Sequence, residues 1–449
     1  MNIRAASEEE AMAYTREQLD EIAEPFETKA LRALAAGDIA QVRALLAQMR
    51  DGAAGLDGLS RHTLARKAAK LRRDFGEDGA RDALRRISTQ LMRTWIEQYK
   101  AGDEKGAIAD LVAVYREQTG GAPQPLNEDE EKITLDLAPC GTGGLLDRQK
   151  LPQKHPDHYG PWSDGVPTYC QICKAWQAAL NAGAGGDVWT TDKGANGHCR
   201  VTFHKRASKG QTLFSEQEKR ELPQRRVDRA IEKLERGETD LAPLIEGQRK
   251  DGMPWHDFGV VCLAHFYAIA LEKGGPDYLD ETLRETYEPA FVAGFPRYAA
   301  LSDEELAREI ARTWNYHCAD FTLTEEEDRF VFRLDPCGSG GRLYRRRMWR
   351  DMFRYGDPLS PLVPAQHPID FNRANAPSYC THCAASNRAQ LSRADDPATP
   401  LFFVADGHAQ MKPGEACKLY AYKKAARDID PALFAQVGLQ PKRRGGGHS

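Results

Sequence analysis

Apolar residues in the first part of the chain recur at the spacing of helix turns. Between residues 11 and 46, Leu31, Leu34 and Val42 stand among charged residues, and Gly37-Asp38 interrupts the pattern. This predicts amphipathic helices on both sides of the break. Further helical patterns cover residues 59–75, 80–99 and 107–115. Short alternating stretches at residues 133–137 and 330–334 predict strands instead, because side chains alternate between the two faces of a sheet.

The second half of the chain repeats this order with an offset near 200 residues. Asp251-Gly252 matches Asp51-Gly52, and from about residue 307 to 341 the offset is a constant 197. Self-similarity of this length predicts a tandem duplication, with a first repeat over residues 1–215 and a second over residues 216–449. The charged residues 204–229 between the two repeats are predicted to form an exposed linker or a connecting helix.

The same order of cysteines occurs in both repeats. Each predicted strand enters a glycine-rich stretch, LAPCGTGG at residues 137–144 and LDPCGSGG at residues 334–341, and a His-Pro pair, a Tyr-Cys-x-x-Cys pair and a last cysteine follow. The shared positions are Cys140, His155, Cys170, Cys173 and Cys199 in the first repeat, and Cys337, His367, Cys380, Cys383 and Cys417 in the second. Each repeat is therefore predicted to be α+β, a helical half followed by a small antiparallel sheet that carries a cysteine-rich, metal-type site.

The composition indicates the cellular compartment of the protein and which partners are unlikely. The 449 residues include 62 Lys and Arg against 66 Asp and Glu, so no overall basic field recruits nucleic acid, which is an unlikely partner. No apolar run is long enough to span a membrane, and the acidic start lacks the layout of a signal peptide, which predicts a cytoplasmic protein. In that compartment the ten cysteines are expected to be metal ligands, redox groups or nucleophiles rather than disulfides.

Four thiols and one histidine per repeat are enough ligands for a tetrahedral zinc site. Zinc is the favoured cofactor, and an iron–sulfur cluster, a dithiol redox pair and metal-free thiols remain alternatives. A closed zinc site would only hold a small sheet together, whereas catalysis needs an open position. Because each repeat has five candidate ligands and a tetrahedral zinc binds four, one group in each repeat remains available to take part in a reaction.

Additional histidines favour the second repeat for activity. His256, His265, His317 and the neighbouring Cys318 have no counterparts in the first repeat, and imidazoles are the usual acid–base groups near neutral pH. We predict these four as catalytic residues, although each histidine alone is more typical of a surface or a core.

A basic run follows the second glycine-rich stretch. Its guanidinium groups at Arg342, Arg345 and Arg346, together with Ser339, are predicted to bind an anionic group of a small-molecule substrate. A solvated helix face is the alternative explanation for the same run.

Part of each repeat resembles a known family. The chain resembles the L-2-amino-thiazoline-4-carboxylic acid hydrolase-like family over residues 71–205 and, less closely, over residues 274–424. The resemblance rests on the stretch FGEDGARDALRR from Phe75, the strand that enters a cysteine, the Tyr-Cys-x-x-Cys pair and Cys-x-x-x-Phe at Cys199. The resemblance implies helical domains with a cysteine-bearing sheet, and hydrolytic opening of a small ring that contains sulfur and nitrogen. The glycine-rich stretch, the His-Pro pair and the tandem arrangement depart from the family pattern.

These features together predict a metal-dependent or cysteine-assisted hydrolase or lyase that acts on a small C–N or C–S bonded substrate. A zinc ion would polarise the substrate or activate water, with His317 or His367 handling protons. The alternatives are a non-catalytic zinc-binding interaction protein and an iron–sulfur or dithiol redox protein.

Overall fold

A computed structural model of the protein describes residues 12–52, 54–344, 362–407, 416–426 and 428–443. It combines many helices with small antiparallel sheets, which confirms the predicted α+β class. The helices are α1 (Arg16–Ala23), α2 (Phe26–Ala35), α3 (Ile39–Asp51), α4 (Ala54–Leu91), α5 (Arg93–Lys100), α6 (Glu104–Arg116), α7 (Gly143–Arg148), α8 (Leu151–Lys154), α9 (Pro156–Tyr159), α10 (Thr168–Ala184), α11 (Glu216–Glu221), α12 (Arg226–Glu235), α13 (Ala242–Thr286), α14 (Glu288–Val292), α15 (Phe295–Ala300), α16 (Asp303–Tyr316), α17 (Gly340–Tyr344), α18 (Thr381–Leu391) and α19 (Pro431–Gln436).

Two four-stranded antiparallel sheets carry the cysteine-rich stretches. The strands are β1 (Asn127–Glu128), β2 (Lys132–Leu137), β3 (Trp189–Lys193), β4 (Cys199–His204), β5 (Phe321–Glu325), β6 (Arg329–Leu334), β7 (Leu362–Val363), β8 (Ala376–Pro377), β9 (Val404–Asp406) and β10 (Cys417–Tyr422). The first sheet has the order β1-β2-β4-β3 and the second has the order β5-β6-β10-β9, while β7 and β8 form a separate pair. The strands expected at residues 133–137 and 330–334 are confirmed as the central strands β2 and β6.

The chain forms two compact units. The first unit is Phe26–Phe266, and the second unit combines the N-terminal residues with the chain from Tyr267 onward. The division therefore falls inside α13 and not near residue 215, where the sequence repeats were divided. The first part of α13 belongs to the first unit because Phe258 packs against Trp95 and Trp176, with ring centroids 5.9 and 4.6 Å apart.

Both long helices change direction at glycine. Gly76 in α4 has φ 69° and Gly275 in α13 has φ 70°, a backbone conformation that side chains with a Cβ disfavour. The sequence patterns at residues 59–75 and 80–99 therefore correspond to separate helical segments, as predicted.

The stretch at residues 204–229 contains α11 and the start of α12, which agrees with the expected connecting helix, and many of its residues are exposed. Several residues are nevertheless buried, among them Phe214, which is 1 % exposed, and Lys205, which is 6 % exposed. The Lys205 Nζ lies 2.8 Å from Glu128 Oε1 and donates to the carbonyl oxygens of Asp129 and Gln211. The charge of Lys205 is therefore paired and hydrogen-bonded in the interior.

Among the described residues, no helix is long and apolar enough to cross a membrane.

A buried carboxylate anchors the chain where it leaves the first sheet. Glu104, at the start of α6, is 4 % exposed and accepts hydrogen bonds from the backbone N–H groups of Arg206, Ala207 and Ser208. Burial alone would raise the pKa of Glu104, but the hydrogen bonds from Ser208, Ala207 and Arg206 lower it overall. The ionised form is therefore the one that stabilises this loop.

We predict that Glu104→Gln lowers the free energy of unfolding by about 1–3 kcal/mol at pH 7, because three N–H donors lose a charged acceptor. The pKa of Glu104 is lowered in the folded state, so its contribution is present above the ordinary pKa of about 4.3 and is lost as the pH falls below it. Urea titrations of both proteins across this range should therefore converge at acid pH. Glu131→Gln, on the exposed Glu131–Lys209 pair, is the control and should be nearly neutral. A difference between wild type and Glu104→Gln that stays constant from pH 7 to pH 3 would contradict this account.

Candidate functional site

In the first unit, the strand pairing brings Cys140 and Cys199 to the same end of the sheet. Leu137 pairs with Cys199, and Cys140 follows three residues later, after the cis peptide bond Ala138-Pro139. The Cys140 backbone N–H donates to the Gly197 carbonyl at 3.0 Å, which ties the glycine-rich loop to the turn between β3 and β4. Two of the predicted ligands are thus placed by the sheet itself.

The other two predicted thiol ligands of the first repeat lie at the start of α10. Cys170 packs directly on the glycine-rich loop, since a Cβ at Gly143 would lie only 2.6 Å from the Cys170 Sγ. Cys173 lies one turn further along α10, and its Sγ accepts a hydrogen bond from Gln177 Nε2 at 3.3 Å. Gln177 also donates to Thr191 Oγ1 on β3 at 2.6 Å, so the amide joins the thiol to the sheet.

Four of the thiols of the first unit, those of Cys140, Cys170, Cys173 and Cys199, lie within electrostatic range of one another. Burial, followed by the charge of Cys140, raises the pKa of Cys170 and of Cys173 to about 12. Burial and the charges of Cys140, Cys173 and Cys170 also raise the pKa of Cys199. Cys170, Cys173 and Cys199 are therefore neutral thiols at neutral pH.

Tyr115 at the end of α6 faces this cluster. It is 6 % exposed, and its hydroxyl interacts with the Cys173 thiol. Burial raises the pKa of Tyr115, and the charges of Cys173, Cys199 and Cys140 raise it further. Because a buried donor left unsatisfied costs about 1–3 kcal/mol, this contact with the sulfur stabilises the buried hydroxyl.

In the second unit, the corresponding loop has the same construction. The Gly341 backbone N–H donates to Cys337 Sγ at 2.8 Å, and a Cβ at Gly340 would lie 3.1 Å from Cys380 Sγ. Asp335-Pro336 is again a cis peptide bond, and Leu334 pairs with Cys417 as Leu137 pairs with Cys199.

The second unit differs from the first in the residue that precedes its last helical cysteine. His382 stands there, where the first repeat has Ile172, and His382 Nε2 lies 3.5 Å from Cys383 Sγ. The His382 Nδ1 contacts the Tyr379 carbonyl oxygen, which only accepts hydrogen bonds. In the neutral ring the proton therefore stands on Nδ1, and Nε2 is left to accept the thiol proton.

Aromatic rings fix the orientation of this imidazole. Tyr379, Tyr287 and Tyr267 surround His382, with ring centroids 4.6, 5.7 and 6.4 Å away. The Tyr287 hydroxyl bonds the Ser386 hydroxyl at 2.8 Å, and Ser386 in turn donates to the His382 carbonyl. The ring is thus held in place by packing as well as by its hydrogen bonds.

Cys383 lies in an apolar environment but keeps part of its surface exposed. Burial raises the pKa of the Cys383 thiol, as do the charges of Cys380 and Cys337, whereas the Arg373 guanidinium opposes the increase. The thiol is therefore neutral at rest and needs a base to become a nucleophile.

The two His-Pro histidines serve as helix caps. His155 is exposed and precedes α9. His367 Nδ1 accepts from the Ile369 N–H at 3.1 Å, and its Nε2 lies 3.1 Å from Asp277 Oδ1. Within the described residues neither ring hydrogen-bonds a thiol.

The structure places the predicted catalytic histidines in different units. His256 and His265 belong to the first unit, where His256 contacts Asp257 at 3.0 Å and His265 is 2 % exposed. His317 and Cys318 belong to the second unit and lie beside the Cys337 loop, because the His317 carbonyl touches Gly338. In this contact it is the His317 backbone that faces the loop, while its ring packs on Trp314 with centroids 5.3 Å apart.

The predicted substrate-binding residues are only partly described. Arg342 is 5 % exposed and its Nε donates to the Gly338 carbonyl at 2.8 Å, so it supports the loop. Ser339 is 6 % exposed and interacts with the Tyr379 hydroxyl. Arg345 and Arg346 lie outside the described residues.

Sequence reasoning missed His382, Tyr115 and Gln177. His382 was detectable, because YCQIC and YCTHC differ there in perfect register. Tyr115 and Gln177 have no signal in the motif, since their roles depend on how α6 and α10 pack beside the sheet.

The described parts of the chain contain no group of three or more His, Cys, Asp and Glu side chains arranged so that it could hold a metal ion. The thiols of each unit are neighbours, but they are not gathered as tightly as metal ligands. The donor chemistry fits zinc, whereas the arrangement of the thiols does not yet do so.

Comparison with known proteins found no matching family model, curated protein or solved structure. The resemblance to the thiazoline-carboxylic acid hydrolase-like family therefore stays a prediction.

The close contact between a cysteine sulfur and a glycine makes a direct prediction. Gly143→Ala should destabilise the first unit by about 1–3 kcal/mol, because the new methyl group overlaps the Cys170 sulfur. Gly340→Ala should cost less, since its Cβ would lie 3.1 Å from Cys380 Sγ rather than 2.6 Å. Gly58→Ala in α4, where the Cβ meets open space, should be neutral or stabilising, so thermal unfolding of the three variants tests the idea. Equal stability of Gly143→Ala and Gly58→Ala would refute it.

Proposed function

We propose that the protein is a cysteine-dependent hydrolase or lyase acting on a C–N or C–S bond of a small molecule, with Cys383 as nucleophile and His382 as its base. The 3.5 Å approach of His382 Nε2 to Cys383 Sγ carries this proposal. The Tyr379 carbonyl completes the arrangement, because it orients the base as a third group does in nucleophile–base–orienter sites.

The chemistry follows from these positions. The Cys383 sulfur adds to the electrophilic carbon of the substrate while its proton passes to His382 Nε2. When the C–N or C–S bond breaks, the same proton goes to the leaving nitrogen or sulfur. Water then adds to the carbon bound to Cys383, giving a proton to His382, and the sulfur leaves as the thiol after regaining that proton. No redox partner is consumed in this sequence.

Two further observations support the proposal. The Arg373 guanidinium is 9 % exposed and acts electrostatically on Cys380 and Cys383, so it favours negative charge at the thiol. The first unit lacks the base, since Ile172 occupies the place of His382. The second repeat is thus the active one in this proposal, as predicted, but through His382 rather than through His256, His265 or His317.

We further propose that the chain arose by tandem duplication. The equal strand order of the two sheets, the cis peptide bond before Cys140 and Cys337, and the contacts of Cys170 and Cys380 with glycine support it. After such a duplication, the first copy could keep a structural role while the second copy, which carries the base, became the reactive one.

The thiol–imidazole pair predicts selective reactivity. Iodoacetamide under native conditions should alkylate Cys383 faster than Cys173, and His382→Gln should slow the reaction at Cys383 by about tenfold or more, because the base is lost. His155→Gln, at an exposed histidine outside the pair, should have no effect. Peptide mass spectrometry of both cysteines gives the rates. With L-2-amino-thiazoline-4-carboxylic acid as the substrate, His382→Gln should abolish the ring-opening reaction and His155→Gln should preserve it.

An unchanged alkylation rate at Cys383 in the His382→Gln protein, with melting temperature also unchanged, would show that the imidazole is not the base. Cys383→Ser that retains full turnover would exclude the nucleophile itself.

A second candidate function concerns the first unit, where we propose that zinc, when bound, would draw Cys140, Cys170, Cys173 and Cys199 closer together into a structural site. The raised pKa values of Cys170, Cys173 and Cys199 favour it, because a bound dication would offset the repulsion among neighbouring thiolates. The Tyr115 hydroxyl interacts with Cys173 and would donate to that sulfur. Zinc would cross-link the end of the sheet to α10.

Elemental analysis should then find ~1 zinc atom per chain, because only the first cluster is assigned to metal. Cys173→Ser should lose the metal and Cys383→Ser should retain it. Tyr115→Phe should weaken zinc binding in chelator competition by about tenfold or more, as loss of a hydrogen bond to a ligand does. Two zinc atoms per chain would make Cys383 a ligand and overturn the nucleophile assignment, whereas none would exclude the structural site.

A further inference from the structure

The N-terminal arm, residues 13–23, is bound to the second sheet through a buried carboxylate. The backbone N–H groups of Ala13 and Tyr14 donate to the two oxygens of Glu325 at 2.9 and 3.0 Å. Lys423 Nζ lies 2.7 Å from the same carboxylate, and Glu325 is only 7 % exposed. The arm thus supplies hydrogen bonds that a buried charged group requires.

Side chains of the arm add specificity to this contact. The Tyr14 hydroxyl donates to the Glu304 carbonyl at 2.9 Å, and the Arg308 guanidinium lies 5.3 Å from the centre of its ring. Thr15 then caps α1 in a reciprocal pair of hydrogen bonds with Gln18. The bound segment is therefore an aromatic residue followed at once by a capped helix.

The first sheet binds a second arm, residues 213–221, in the same manner. The N–H groups of Leu213 and Phe214 donate to Glu128 at 2.7 and 3.2 Å, and Lys205 Nζ lies 2.8 Å from that carboxylate. Ser215 caps α11 in a reciprocal pair with Glu218. An ammonium group again lies over the aromatic ring, since Lys105 Nζ is 5.3 Å from the centre of the Phe214 ring.

The two arms differ in where they stand in the sequence relative to the sheet that each one contacts. The arm of residues 213–221 follows the first sheet directly, because β4 ends at His204. After the second sheet ends at Tyr422, the chain leads to α19 instead. The matching arm comes from the N-terminal end of the chain, and Tyr14 stands 311 positions before the Glu325 that it contacts. The N-terminal arm takes the place that the start of a third repeat would fill.

We propose that Glu325 and Lys423 form a peptide-binding site on the second sheet, and that the N-terminal arm is its ligand. The ligand class is a segment that offers two consecutive backbone N–H groups, the second on an aromatic residue, and then a helix capped by Ser or Thr. The proposal does not depend on the thiol chemistry, because it uses none of those residues.

Amide hydrogen exchange on two matched variants of the full chain tests the proposal. Glu325→Gln keeps the shape of the acceptor and removes its charge, so exchange of residues 13–23 should rise by about tenfold or more while residues 213–221 stay protected. Glu128→Gln should do the reverse. Unchanged exchange of residues 13–23 in Glu325→Gln would overturn the proposal, as would loss of protection at both arms in both variants.

Binding of the arm in trans provides a second readout. A fluorescent peptide of residues 12–24 should bind saturably to a variant that lacks residues 1–24, and the peptide of residues 212–222 should compete with it, because both present the same groups. Adding Glu325→Gln to that variant should abolish the binding, whereas a scrambled peptide should not bind. Failure of the peptide to bind a truncated protein with the circular dichroism of the full chain would count against the site.

Discussion

The contact of a cysteine sulfur with a glycine backbone is the constraint on which both thiol clusters depend. Cys170 lies against Gly143, where a Cβ would come within 2.6 Å of the sulfur, and Cys380 lies against Gly340, where a Cβ would fit only if the sulfur moved slightly. This contact brings the end of a central strand to the start of a helix, although the two are separated along the chain. Any side chain at these glycines would push the helical thiols away from the thiol at the strand end. The glycine-rich stretch is thus a packing requirement first, and the chemistry follows from the proximity it creates.

The proposed function assigns different chemistry to the two units, and one difference in sequence between the repeats accounts for it. Ile172 and His382 occupy matching positions before Cys173 and Cys383. An apolar neighbour leaves Cys173 with Gln177 as its donor and with Tyr115 nearby, an environment that suits a thiolate held by a metal. An imidazole leaves Cys383 with a base, which suits a thiol that reacts.

Much of the fold followed from local patterns, because alternating side chains and helix-turn spacing are local properties of the chain. The strands that enter Cys140 and Cys337 and the helical runs before them were predicted for this reason. Burial of Lys205 could not be predicted, since it depends on a partner carboxylate 77 positions earlier, at Glu128, and sequence charge alone suggests solvent. For the site, the thiols were identifiable from spacing, whereas the role of His382 depends on a backbone carbonyl that turns its ring toward Cys383.

The central claim is that His382 is held as a base toward Cys383, and the protonation of its two ring nitrogens tests this most directly. Nitrogen-15 chemical shifts of histidine-labelled protein, assigned by comparison with His382→Gln, report which nitrogen carries the proton. The account predicts a proton on Nδ1, donated to the Tyr379 carbonyl, and an unprotonated Nε2 that accepts from the thiol. A neutral ring with its proton on Nε2, or a ring coordinated to a metal, would contradict it.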